Sequence, residues 1–328
     1  MMRNIKSQWR SWQRRQENMS KMVSTRTGFG AGLVELAGMR DDVVTTSADT
    51  YRSFALNEFV EKYPDRYFEF GIAEQGMLTA SAAMAAEGCC VFSVGYSPFL
   101  SMRGLEQIRT FAAYPNLNVK VAAGLSGLSG DTDGVTHQGT EDIGIVRTIP
   151  NMTLLCPADA VAAKAFVKMA ADLQGPVYLR LGRGATPVVY EENQRFEFGK
   201  AIHVRCYGRE AVIVACGPCV AEAARAADQL KEKGIMVTVL DMHTIKPLDV
   251  DTLAGCCEGA GSVITVEDGT VCGLGSAVAE ALMEHNVHPK HFKRLGMTTF
   301  GTAGSLPELL GFFGLDSKGI VESVQSLQ

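Results

Sequence analysis

The sequence has no uninterrupted apolar run of the roughly 18–20 residues that a bilayer-spanning helix needs, so no transmembrane protein of that type and no membrane partner are expected. Positive charge is not in excess either. Thirty-one lysines and arginines stand against 36 aspartates and glutamates, a formal net charge of −5, which leaves no broad field for a nucleic-acid partner. No Walker phosphate loop occurs, and Gly273 and Gly275 in CGLGSAVAE lack the following spacing of a dinucleotide fingerprint. The nine cysteines are scattered and odd in number, and no secretory leader precedes them. A disulfide-stapled secreted domain is therefore not expected, and a reducing, cytoplasmic location is. The two tryptophans, Trp9 and Trp12, both fall in a basic N-terminal stretch with some helical periodicity through Ile5. Residues 1–22 read as an amphipathic, partner-facing extension; a frayed tail is the plainer alternative, and binding to a membrane surface is the weakest.

What is present suffices for two cores. The chain has 328 residues, 46% hydrophobic and 20% charged, and one core usually serves roughly 100–200 residues. From Thr27 onward, apolar helices alternate with short β-rich runs. The pattern predicts strands at 43–47, 89–94, 118–123, 153–156 and 177–181, with helices at 28–39, 76–87, 103–113 and 158–172, as in a parallel α/β sheet. Residues 183–200 have weak periodicity, and 188–200 read as a linker. A second α/β pattern follows, with strands at 211–215, 236–241 and 262–266 and helices near 220–231, 250–256 and 275–284. The expected fold class is α/β: two doubly wound domains, 23–187 and 201–328, the second with about five parallel strands.

Several residues could carry chemistry. Glu74, in FEFGIAEQGM, stands before a small-residue helix, where a carboxylate meets backbone amides. In dry surroundings it could exchange a proton; otherwise it starts the helix or pairs with a cation. Asp131, Asp133, His137, Glu141 and Asp142 crowd a glycine-rich loop, a pattern better suited to a pocket for hydroxyl or phosphate groups than to a metal. Arg180 and Arg183 follow an apolar strand and could clamp an anion or make a structural contact. Tyr96, Phe99 and Arg103 form a set that could stack on a heteroaromatic ring or belong to the core. Cys216-Gly-Pro-Cys219 has the spacing of a redox dithiol, but reads first as a strand-to-helix turn. His285, His288 and His291 are interrupted by Pro289 and read as surface residues.

GIAEQGM at 71–77, FLSMRGLEQIR at 99–109, DGVTHQGTEDI at 133–143 and the later IKPLD and VEDG segments closely resemble the C-terminal portion of transketolases. The resemblance runs from about residue 24 onward. It implies a thiamine-diphosphate pyrimidine-binding domain followed by a transketolase C-terminal domain, without the preceding diphosphate-binding domain. By resemblance, Glu74 contacts N1′ of the aminopyrimidine and exchanges a proton there. Phe99 stacks on that ring, with Tyr96 and Arg103 beside it. His137 and Asp133 contact substrate oxygens, and Ser53, Arg180 and Arg183 fall near positions that bind sugar or phosphate oxygens. The implied activity is transfer of a two-carbon ketol unit from a ketose, expected to be phosphorylated, to an aldose. The implied cofactors are thiamine diphosphate and Mg²⁺. No GDG followed by the expected Asn is found, so the metal ligands are expected on an N-terminal-type subunit, and the implied assembly has two copies of each chain. Deoxyxylulose-phosphate synthase, which uses pyruvate, resembles several of the same motifs; a pyruvate-dehydrogenase β-type enzyme is more distant. A noncatalytic scaffold or regulatory paralogue is the alternative of a different class.

Overall fold

The computed structural model describes residues 19–328. The amphipathic periodicity through Ile5, Trp9 and Trp12 lies outside the described residues.

The first domain contributes β1 (Met22–Ser24), β2 (Val43–Ser47), β3 (Tyr67–Glu69), β4 (Cys90–Tyr96), β5 (Val119–Gly124), β6 (Thr153–Leu155), β7 (Val177–Arg180) and β8 (Ala185–Pro187). β2 and β5 are buried along their whole length, so their sequences are near-continuous apolar and small residues rather than alternating ones. β6, β7, β5, β4, β2 and β3 lie side by side in that order, all parallel. Their C-terminal ends therefore share one edge, where the loops leading to Ser53, Glu74, Phe99, His137 and Arg183 leave the sheet.

The second domain contributes β9 (Ile202–Cys206), β10 (Ala211–Ala215), β11 (Val237–Asp241), β12 (Thr244–Lys246), β13 (Ser262–Thr270) and β14 (His291–Met297). The sheet order is β14-β13-β10-β11-β9, and β9 runs antiparallel to β11. Four parallel strands with one antiparallel edge thus replace the five parallel strands expected. β12 leaves its own domain and pairs antiparallel with β6, extending the first sheet to seven strands.

Helices cover the sheets: α1 (Thr25–Met39), α2 (Glu74–Ala86), α3 (Ala160–Asp172), α4 (Cys219–Glu232), α5 (Leu274–Glu284), α6 (Leu306–Phe312) and α7 (Ser317–Gln325). α1 and α3 touch backbone to backbone. A side chain at Gly28 would sit 2.0 Å from the Ala160 carbonyl oxygen, so only glycine permits the approach.

The stretch expected to be a linker begins inside the protein. Val188, Val189 and Tyr190 are buried, and the amides of Val189 and Tyr190 donate to Asp159 Oδ2 at 2.7 and 2.8 Å. The same carboxylate caps α3 through Ala162 N. Tyr190 then donates its hydroxyl to Asp241 Oδ2 in the second domain.

Asp241 is fully buried and its Oδ1 has no partner. Burial pushes its carboxyl pKa up to about 8, against a partial offset from the Tyr190 hydroxyl. From about pH 4 to pH 8 the folded chain therefore retains a proton that the unfolded chain releases, and stability falls as pH rises through that window. Asp241→Asn is expected to remove this slope and to unfold at least ~2 °C above wild type at pH 8.5, with a smaller gain at pH 5. Thermal unfolding at both pH values checks it; no gain at pH 8.5 contradicts the assignment.

Candidate functional site

Glu74 opens α2 and is 2% exposed. Its Oε2 accepts from Arg103 Nη1 at 2.8 Å, and the helix start adds a favourable dipole. Arg103 is 48% exposed at its side chain, and its guanidinium lies over the Phe99 ring, 4.7 Å from the centroid. Phe99 and Arg103 bracket a π-helical turn that ends at Gly104. A side chain at Gly104 would come within 2.4 Å of Leu78 Cδ1, so its absence lets α2 pack against this turn. Helix and turn together fix the Glu74–Arg103–Phe99 arrangement.

A second group continues from Phe99. The His137 ring meets Phe99 edge-on, with centroids 5.4 Å apart, and Tyr96 at 6.1 Å. The Tyr96 hydroxyl and Ser53 Oγ are 3.0 Å apart, and His137 Nδ1 lies 3.0 Å from Thr136 Oγ1. A cleft of about 410 Å³ is lined by Phe99, Met102, Arg103, Thr136, Glu141 and, from the second domain, Phe300. On the other side of the glycine-rich loop Arg183 pairs with Asp133.

Arg180 does not join Arg183 in a clamp. It is 3% exposed and committed inward: Nε meets the two Asp142 oxygens at 3.0 and 3.1 Å, and Nη1 meets Asp268 Oδ1 at 2.6 Å. Arg180, expected near positions that bind sugar or phosphate oxygens, instead turns into the domain junction as the last residue of β7, before the chain emerges at Arg183. Cys216 and Cys219 are also buried. A hydrogen bond with Cys156 followed by burial pushes the Cys216 thiol well up, and burial does so for Cys219, the reverse of a redox-active dithiol.

Sequence reasoning missed Arg26. It lies in the first turn of α1, donates Nη2 to the Arg183 carbonyl at 3.0 Å, and has its pKa lowered to about 10 by burial and by the neighbouring Arg183 charge. An arginine at a helix start opposes the helix dipole, and that anomaly was the available signal. With Arg183 it places two guanidinium groups near Asp131 and Asp133.

Residues 21–188 match the family described as transketolase, pyrimidine binding domain, and residues 199–320 match transketolase, C-terminal domain. This chain belongs to the transketolase family. It is 38% identical over 303 residues to a putative transketolase C-terminal section of Methanocaldococcus jannaschii, covering 91% of this chain and 94% of that protein. With an apulose-4-phosphate transketolase subunit of Phocaeicola vulgatus it shares 37% identity over 308 residues, 93% of this chain and 97% of the relative. A solved chain described as a split gene transketolase, inactive beta4 tetramer, matches with a TM-score of 0.84 and 36% identity, over 94% of this chain and 98% of that one. Among the described residues of this transketolase-family subunit, no group of three or more His, Cys, Asp or Glu could hold a metal ion, and no helix is long and apolar enough to cross a membrane.

Proposed function

We propose that this transketolase-family subunit forms the pyrimidine-side half of a thiamine-diphosphate-dependent site, with pyrimidine-binding and C-terminal domains over 23–187 and 201–328. An N-terminal-type subunit completes that site in an α2β2 assembly, and the enzyme moves a two-carbon ketol unit from a phosphorylated ketose to an aldose. The observation that carries the reading is the buried Glu74 carboxylate at the start of α2, one side chain away from an aromatic-walled cleft.

The residues present fit the aminopyrimidine end of the cofactor. Phe99, Met102 and Phe300 offer apolar surface to a flat ring, and Glu74 supplies an acid shielded from water. When bound, thiamine diphosphate supplies the carbon nucleophile that breaks and remakes the carbon–carbon bond. Mg²⁺ and its ligands belong to the partner subunit in this reading.

Glu74 holds and exchanges the proton at N1′. Arg103 occupies both its carboxylate and the Phe99 ring, and is the side chain that yields for a heteroaromatic ring to reach them. His137, steadied by Thr136 at Nδ1, orients a sugar hydroxyl, with Ser53 and Tyr96 forming the adjacent polar edge. Arg183 and Arg26 take a phosphate group, which competes with Asp133 for Arg183.

The test is product-resolved turnover of the assembled enzyme with thiamine diphosphate and Mg²⁺, supplied with either a ketose phosphate and an aldose or pyruvate and an aldose. Two-carbon transfer from the ketose is expected; pyruvate-dependent product with carbon dioxide release overturns the reading. His137→Ala is expected to lower kcat/KM about 100-fold at unchanged thermal stability. A loss of stability alone would reduce His137 to a loop fastener.

A further inference from the structure

We propose that the C-terminal domain positions the site through a buried relay, Asp268–Arg180–Asp142–Ser97, which ties the loops bearing Phe99 and His137 to β13. The inference rests on the functional reading above for the meaning of those two loops, but its geometry is independent of it.

The relay begins in the second domain. Asp268 Oδ1 accepts from Arg180 Nη1 at 2.6 Å, Arg180 Nε reaches Asp142 Oδ1 at 3.0 Å, and Asp142 Oδ2 accepts from Ser97 Oγ at 3.0 Å. All four residues are buried. Ser97 also meets the Tyr178 hydroxyl at 2.9 Å. Along the chain Ser97 stands two residues before Phe99, and Asp142 five residues after His137. One carboxylate therefore braces both loops, and another domain holds its cation.

The loop between β5 and Asp142 is gripped at further points from the same side. Thr270 N donates to the Thr140 carbonyl at 2.8 Å, and Gln138 Nε2 donates to the Thr302 carbonyl at 2.8 Å. Gly127, at φ +59°, lies so close to the bridge that a side chain there would meet Asp268 Oδ2 at 2.2 Å and Arg180 Nη2 at 2.5 Å. Asp131 is held at φ 49°, ψ −129°, an unusual conformation for a side-chain-bearing residue, and α6 of the second domain packs against this loop. A strained loop persists only where its surroundings over-determine it, and here much of that surrounding is the second domain. Buried ion pairs add little net stability over well-packed apolar groups, so fixing one arrangement of two loops is a better account of this one than strengthening the fold.

The test compares Asp268→Asn and Ser97→Ala full-length chains by amide hydrogen exchange. Asp268→Asn leaves Arg180 paired one to one with Asp142, so the chain is expected to fold. Exchange is expected to quicken at least ~10-fold in both 97–104 and 127–142, while β4 and β5 amides keep their rates. Faster exchange confined to 262–275 overturns the relay. Ser97→Ala is expected to quicken 97–104 alone; unchanged exchange there overturns the proposal, and decides it if Asp268→Asn does not fold. In the assembled enzyme Asp268→Asn is expected to lower kcat about tenfold with KM for the ketose within about twofold of wild type. If wild type transfers no ketol unit, the functional reading fails while the exchange data still judge the relay.

Discussion

Glu74→Gln, in the chain assembled with its N-terminal-type partner, is expected to lower ketol-transfer turnover by about three orders of magnitude and to leave the unfolding temperature within ~2 °C of wild type. Glutamine keeps the volume at the start of α2 and can still accept from Arg103 through its amide oxygen. Arg103 is half exposed, so water can offset the lost charge pair. What glutamine cannot do is give and take a proton at a ring nitrogen. Single-turnover measurement at saturating cofactor, with thermal unfolding alongside, separates the two effects. Retention of a tenth or more of wild-type turnover would remove Glu74 from the chemistry and leave it as a buried helix-starting acid.

The largest expected effect on stability lies elsewhere. Arg180→Met would leave Asp142 and Asp268 buried together without their cation, a change expected to cost about 3–5 kcal/mol. The deficit should depend on pH. Burial already pushes the Asp268 carboxyl up, and Arg180 opposes that shift. With Arg180 gone the folded-state pKa rises further above the unfolded value, so stability is lost as pH rises through the widened interval and regained as pH falls. Urea unfolding at pH 5.5 and pH 8 should therefore show the smaller deficit at the lower pH. A cost below about 1 kcal/mol at both would mean that the junction relaxes and admits water.

The strands of the first domain were legible because a parallel sheet covered on both faces leaves near-continuous apolar runs, such as Val119–Gly124. β9 and β14 were missed for the opposite reason. They are edge strands carrying His203 and Arg205, or Lys293 and Arg294, among partly buried positions, and their polar residues resemble those of a surface loop. β12 was invisible because nothing local in Thr244–Lys246 says that it joins the other domain's sheet. The motifs pointed to Glu74, Phe99 and His137, which the structure brings into one cluster through Arg103 and the ring contact. Orientation was beyond their reach: Arg180 and Arg183 are three residues apart, yet one faces two buried carboxylates and the other pairs with Asp133. The stretch at 188–190 looked unconstrained because its constraint, Asp159, lies 30 residues upstream.

The bridge centred on Arg180 also bears on how the two domains can be exchanged between relatives. A chimera cut between Tyr190 and Ile202 would join a foreign C-terminal half to Asp142, Arg180 and Tyr190 of this one, and would keep the junction only if the donor brought an acid at position 268, a hydrogen-bond acceptor at 241 and a small residue at 269. The halves are thus matched like a lock to its own key blank. Natural substitution at one side of the junction would be followed by substitution at the other.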